Sequence, residues 1–168
     1  MSLWGNDTKP KNLTDAEKKE VFANKSGWVR EAGSVLSGNG NTGADPEVLV
    51  AISNLSANMG AANITEIEFV TTSFDKSDGG NIDVLVRFNE PVTVTGTPQV
   101  SITNGNQGSG TGRGPHLASY LSGSTTNELT FRFTLGAANA ATNENDVLVI
   151  GTNATALNSG TIKDTGEG

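Results

Sequence analysis

The chain has no cysteine and a single histidine, His116, among its 168 residues. Neither a disulfide framework nor a thiolate metal site can therefore form, and a zinc site built on two histidines is excluded. Lys and Arg are also few, 11 against 18 Asp and Glu, which leaves a net charge of −7. Because phosphate binding needs cationic side chains, we expect no nucleic-acid partner. No apolar run approaches the roughly 20 residues of a membrane-spanning helix, so we expect no membrane partner.

The acidic residues are unevenly distributed along the chain. Residues 64–168 hold 5 Lys or Arg and 11 Asp or Glu, whereas residues 1–63 are nearly balanced. The two parts also differ in their hydrophobic pattern, because only the second shows repeated alternation of apolar and polar residues. We therefore divide the chain into an N-terminal docking arm, residues 1–63, and a β domain, residues 64–168.

Alternating apolar residues predict the fold of the second part. Leu129, Phe131 and Phe133 are separated by Thr130 and Arg132, which is typical of a strand with one buried face. Seven or eight such short strands in one domain predict an immunoglobulin-like antiparallel β-sandwich, so the fold class is mainly β with a small mixed N-terminal arm. The predicted strands are 64–71, 81–88, 92–95, 99–103, 118–121, 128–135, 147–151 and 160–163. The predicted core residues are Ile67, Phe69, Ile82, Val84, Val86, Phe88, Tyr120, Phe131 and Phe133.

The arm carries weaker signals. Thr14 and Glu17 form a capping-box pattern that predicts a short helix over residues 15–22. Residues 47–52 could form a helix, with Asp45 as cap and Pro46 at the first position. Their β-branched content favours a strand, which would pair with residues 28–30.

The arm has little apolar material with which to bury its large side chains. Trp4 and Trp28 are therefore predicted to anchor the chain on a partner, because large aromatic side chains are common interface anchors. An alternative for Trp28 is that it covers the base of the sandwich. Strand addition through residues 47–52 would place Val48, Val50 and Ile52 at the same interface.

Two sets of motifs resemble known families. The segments 88–92 (FNEPV), 94–98 (VTGTP), 118–124 (ASYLSGS), 129–133 (LTFRF) and 158–164 (NSGTIKD) resemble bacterial immunoglobulin-like repeats of large surface proteins. The segments 2–6 (SLWGN), 10–14 (PKNLT), 27–29 (GWV) and 47–55 (EVLVAISNL) resemble structural proteins of tailed phages of marine cyanobacteria. Residues 104–115 depart from the immunoglobulin-like pattern, because a Gly/Ser/Asn insertion replaces a tight turn.

These resemblances imply a non-enzymatic virion structural protein, most simply a capsid decoration or another head- or tail-associated subunit. Its partners would be other virion proteins, with the chain oligomeric on the particle and located in the virion. The alternative is an adhesin module that binds a carbohydrate or receptor, such as a glycan on the host surface.

The remaining motifs are better explained without catalysis or cofactors. The turn from Asp75 to Asp83 has oxygen-bearing side chains that suit calcium, but the EF-hand register fails and a polar hairpin turn accounts for the same residues. His116 lacks a visible serine or aspartate partner and is interpreted as a loop histidine. Glu66 and Glu68 share one strand face and are expected to be solvated. We therefore predict no catalytic residues, no metal and no cofactor.

Overall fold

The structure is a computed structural model that describes residues 8–34, 36, 38, 40–75, 77–104, 114–136 and 146–165. It is mainly β, with antiparallel sheets and two short helices, α1 (Asp15–Lys19) and α2 (Leu55–Asn58). The strands are β1 (Val21–Asn24), β2 (Gly27–Arg30), β3 (Glu47–Ala51), β4 (Ile64–Phe69), β5 (Gly80–Thr95), β6 (Gln99–Asn104), β7 (His116–Ser122), β8 (Thr126–Leu135), β9 (Leu148–Ala156) and β10 (Thr161–Asp164).

The larger sheet has seven strands, in the order β10-β5-β8-β7-β6-β9, with β4 paired to β5 as well. Each pairing is antiparallel. The alternation seen in the sequence sets the register, because Val84 pairs with Phe131 and Val86 pairs with Leu129 on one face. Side chains at every second position of neighbouring strands thus point to a common interior.

One core lies inside this sheet. It draws buried side chains from β5, β6, β7, β8 and β9, so the sheet must curve around it and is nearly closed. The buried members are Ile82, Val84, Val86, Phe88, Val92, Val100, Ile102, Ala118, Leu129, Phe131 and Ala154. Five predicted core residues are among them. The other four, Ile67, Phe69, Tyr120 and Phe133, are partly buried and pack against this core.

Strand β5 is longer than the sequence predicted. Segments 81–88 and 92–95 are parts of one 16-residue strand, with a register shift between Arg87 and Val92 in its pairing to β8. Pro91 lies within that shift, where a residue without an N–H group is tolerated. The two halves of β5 pair with different strands, the first half with β4 and the second half with β10.

The smaller sheet has the order β1-β2-β3. The predicted strand at residues 47–52 and its pairing with residues 28–30 are confirmed, since Trp28 pairs with Val50 and Arg30 with Glu47. The capping box is also confirmed, because the Glu17 N–H donates to the Thr14 hydroxyl and Glu17 accepts from the Thr14 N–H. The predicted helix 15–22 is wrong at its end, since α1 stops at Lys19 and Val21 starts β1.

The prediction that the arm cannot bury its own apolar residues is also wrong. Val21, Ala23, Trp28, Leu55 and Met59 form a second core. Leu13, Leu49, Val50 and Ile52 are partly buried and pack against it. A three-stranded sheet supports such a core because one face of each strand is covered by the segments that follow β3 and precede β1.

Candidate functional site

The candidate docking site is the outer edge of β3, which we call the β3 edge and define as residues 47–51 with their exposed side chains. Within the part of the chain that the structure describes, β3 pairs only with β2. Its other side therefore presents backbone N–H and C=O groups that no neighbouring strand occupies. Such an edge is a template on which an extended segment of another chain can pair.

Exposure increases towards this edge. Phe22, Val29 and Val48 lie in one row across the three strands, since Phe22 pairs with Val29 and Val29 with Val48. Phe22 is 8% exposed and Val29 is completely buried, whereas Val48 is 49% exposed. Phe22 belongs to β1, which lies against β5 of the larger sheet. Val48 is thus the apolar side chain of this row that a partner could cover.

The five predicted docking residues do not form one surface. Val48 is exposed, but Val50 and Ile52 face inwards and pack on the second core. Trp28 is completely buried, and its indole Nε1 donates to the Thr8 hydroxyl at 2.9 Å. Trp28 therefore stabilises the arm from inside, and its interpretation as a surface anchor is corrected. Its indole is not at the base of the larger sheet either. Trp4 lies outside the described residues.

A charged cluster joins the two parts of the chain. Arg87 of β5 contacts Glu66 at 3.0 Å, Glu128 at 2.6 Å and Glu68 through an ion pair. Lys19 at the end of α1 forms a further ion pair with Glu66. The expectation that Glu66 and Glu68 are simply solvated is wrong, because each of them pairs with Arg87. Only the fold could show this, since Arg87 is far from both carboxylates in the sequence.

Glu31 enters the same cluster from the end of β2. Its carboxylate accepts a hydrogen bond of 3.1 Å from the buried Asn127 side chain at the start of β8. Burial, together with the nearby negative charge of Glu128, raises the pKa of Glu31 from 4.5 to about 7, although the bond from Asn127 opposes the rise. The sequence carried no signal for this site, because residues 31 and 127 are brought together only by the packing of the arm on the larger sheet.

The turn considered for calcium uses its carboxylates in other ways. Asp75 accepts a hydrogen bond of 2.8 Å from the Ser77 N–H, as in an ordinary Asx turn. Asp83 forms two hydrogen bonds of 2.7 Å with Arg132, and these bonds hold the pKa of Asp83 below its usual value. The two ends of this turn are thus engaged separately. Among the described residues there is no group of three or more His, Cys, Asp or Glu side chains arranged to hold a metal.

His116 is not a loop residue, as the sequence suggested, but the first residue of β7. It is buried and stacks on Phe133 with the ring centroids 4.9 Å apart. Burial lowers the pKa of His116, and the negative charge of Asp146 opposes this effect. The stacking on Phe133 makes His116 part of the packing at one end of the larger core.

No helix in the described part of the chain is long and apolar enough to cross a membrane. Comparisons with protein-family models, with curated proteins and with solved structures found no match to the chain.

Proposed function

We propose that the chain is a non-enzymatic structural protein of a phage virion, a capsid decoration or another head- or tail-associated subunit that docks through the β3 edge. The observation that carries the proposal is the position of one motif in the fold. Residues 47–55, which resemble a segment of phage structural proteins, supply β3, an edge strand whose outer side has no partner among the described residues. The part of the chain that resembles virion proteins therefore offers an edge on which another chain can pair, although β1, β4, β9 and β10 also pair with only one strand in the described part.

The geometry of β3 supports attachment by strand addition. Backbone hydrogen bonds would supply affinity, and the half-exposed Val48 would supply an apolar contact. Val29 and Trp28 of β2 pair with Val48 and Val50 of β3 and are both buried, so the edge belongs to a packed sheet. Preorganisation of this kind lowers the entropic cost of docking. We also propose that Trp4 is a second anchor on the particle, because residues 2–6 resemble a segment of phage structural proteins.

The larger sheet is the part that would project from the particle. We propose that it is an immunoglobulin-like module, because it combines short antiparallel strands and a single apolar core with the motifs of bacterial immunoglobulin-like repeats. A module of this kind can hold its loops away from the docking edge without taking part in attachment.

The proposal is tested by incorporation into virions. Particles are assembled with the wild-type chain, with Val48→Lys or with Val70→Lys, and the bound copies are counted by quantitative mass spectrometry. A lysine on an edge strand opposes pairing with a further strand, so Val48→Lys should reduce incorporation. Val70 is a matched control, being 56% exposed but located after β4 in the larger part. Equal incorporation of both variants would remove the β3 edge from the proposal.

The same particles distinguish the adhesin alternative. Many copies per particle, together with the absence of glycan binding on an array, are the expected result for a decoration or structural subunit. A few copies per particle with glycan binding by the purified chain would support the adhesin instead.

A further inference from the structure

The three strands β7, β6 and β9 are neighbours in the larger sheet and share an unusual composition. None of their residues is Asp, Glu, Lys or Arg. The other side of the sheet is different, because β4, β5 and β8 carry Glu66, Glu68, Asp83, Arg87, Glu128 and Arg132. The charged residues of the larger sheet thus lie outside β7, β6 and β9, and Arg132, which pairs with Ser119, borders these strands on the β8 side.

The outward side of these strands also exposes large apolar side chains. Leu117 and Leu121 of β7 are 47% and 48% exposed, and Val149 of β9 is 40% exposed. Leu117 pairs with Ser101 of β6, and Val149 pairs with Thr103, two residues further along the same strand. Leu117 and Val149 therefore flank the central strand β6 on one surface. We call this surface the neutral face and define it by Gln99, Ser101, Thr103, Leu117, Ser119, Leu121 and Val149.

From the neutral face we infer a self-association surface, on which a second copy of this chain packs through the same residues. The net charge of −7 makes two copies repel each other, so contact is opposed least where the facing surfaces carry no charge. A two-fold contact disfavours charged residues near its axis. Each residue there contacts the same residue of the second copy, so a charge would face an identical charge.

The absence of charge on this face favours a second copy over a partner of opposite charge. A different partner could match acidic residues with basic ones, and such matching usually supplies specificity and fast association. The neutral face offers no group for that purpose, but it satisfies the requirement of a two-fold contact between identical acidic chains. This inference does not depend on the proposed function, because the β3 edge belongs to the smaller sheet and remains free when the neutral faces meet.

The test is sedimentation equilibrium of the full chain from low micromolar to millimolar concentration. We expect a monomer–dimer equilibrium, and we expect Leu117→Lys to raise its Kd at least about tenfold, because a lysine would meet its copy near the axis. Val70→Lys adds the same charge at a side chain that is 56% exposed outside the neutral face, and it should leave the Kd within about twofold of wild type. Added salt should strengthen association, since it screens the repulsion between the acidic chains.

Because the chain has no cysteine, single cysteines provide a second measurement that does not depend on lysine substitution. Ser101→Cys, on the central strand, should form a disulfide-linked dimer on mild oxidation, whereas Thr72→Cys, an exposed control, should not. A monomer over the whole concentration range overturns the inference. So does dimerisation that survives Leu117→Lys, or dimerisation that is abolished by Val48→Lys, which would assign the contact to the β3 edge.

Discussion

We predict that Glu31 makes the joint between the arm and the larger sheet sensitive to pH. The groups that face it are Asn127 and Glu128 of β8 and Arg87 of β5. Burial and the charge of Glu128 raise its pKa from 4.5 to about 7. The folded protein therefore holds a proton on Glu31 over a pH range in which the unfolded chain has released it.

The sign of the effect follows from this difference. An acid whose pKa is higher in the folded state contributes stability that is fully present below about pH 4.5 and is lost as the pH rises through about 7. One pKa unit corresponds to about 1.4 kcal/mol, so the upper limit of the contribution is about 3 kcal/mol. Glu31 is only partly buried, and solvent screening reduces the expected contribution to about 1–2 kcal/mol.

Glu31→Gln tests this prediction directly. Glutamine keeps the carbonyl oxygen that accepts from Asn127 and, like the protonated acid, can donate to Glu128. We expect the variant to match the wild type at pH 4 and to exceed its free energy of unfolding by about 1–2 kcal/mol at pH 8. Urea unfolding between these pH values measures the difference. Burial lowers the pKa of His116, but this residue is present in both proteins, so its contribution cancels.

Asp45→Asn serves as the control, since it removes an exposed carboxylate from the loop before β3. It should leave the pH dependence of unfolding unchanged. The reasoning is refuted if Glu31→Gln keeps the wild-type pH dependence, or if it is less stable than wild type at pH 8. Either result would mean that the Glu31 carboxylate is ionised in the folded protein at neutral pH.

Four further predictions concern the two cores and the polar turn. Phe131→Ala should lower the free energy of unfolding by about 3–5 kcal/mol in urea denaturation, because Phe131 is 1% exposed at the centre of the larger core. Trp28→Ala should destabilise the folded chain by a similar amount of about 3–5 kcal/mol, and an unchanged Tm would contradict its burial in the second core. A fragment of residues 64–168 should give a β-type circular dichroism spectrum and a cooperative melt, since the larger core lies almost entirely within it; a helical spectrum would contradict this. Millimolar calcium should not raise the Tm, because Asp83 is engaged by Arg132, and a calcium-dependent rise that is lost in Asp78→Ala would refute the prediction.

Alternation in the sequence was sufficient to locate the strands of the larger sheet. Every second residue is apolar from Ile82 to Phe88 of β5 and from Leu129 to Leu135 of β8, and burial of one strand face requires only that local pattern. The Thr14–Glu17 capping box was predictable for the same reason, because its hydrogen bonds join residues three positions apart. The strand at residues 47–52 was also favoured by its β-branched residues, although they did not exclude a helix.

Long-range packing decided the features that the sequence did not show. Val21 and Phe22 could continue a helix by their local pattern, but pairing with β2 makes them a strand. Trp28 looked too large for the arm to bury, yet Leu55 and Met59 fold back to cover it. The pairing of Glu31 with Asn127 depends on how the arm meets the larger sheet.

For the candidate sites, the sequence by itself determined which residues form strands and which strands lack charge, because both are local properties. The tertiary structure alone decided that β3 has one strand partner among the described residues, that Val48 is exposed there while Val50 is partly buried, and that three uncharged strands lie side by side. These features depend on the order of the strands in each sheet. That order results from contacts between residues that are distant in the chain. A local sequence pattern does not reveal which of these contacts form.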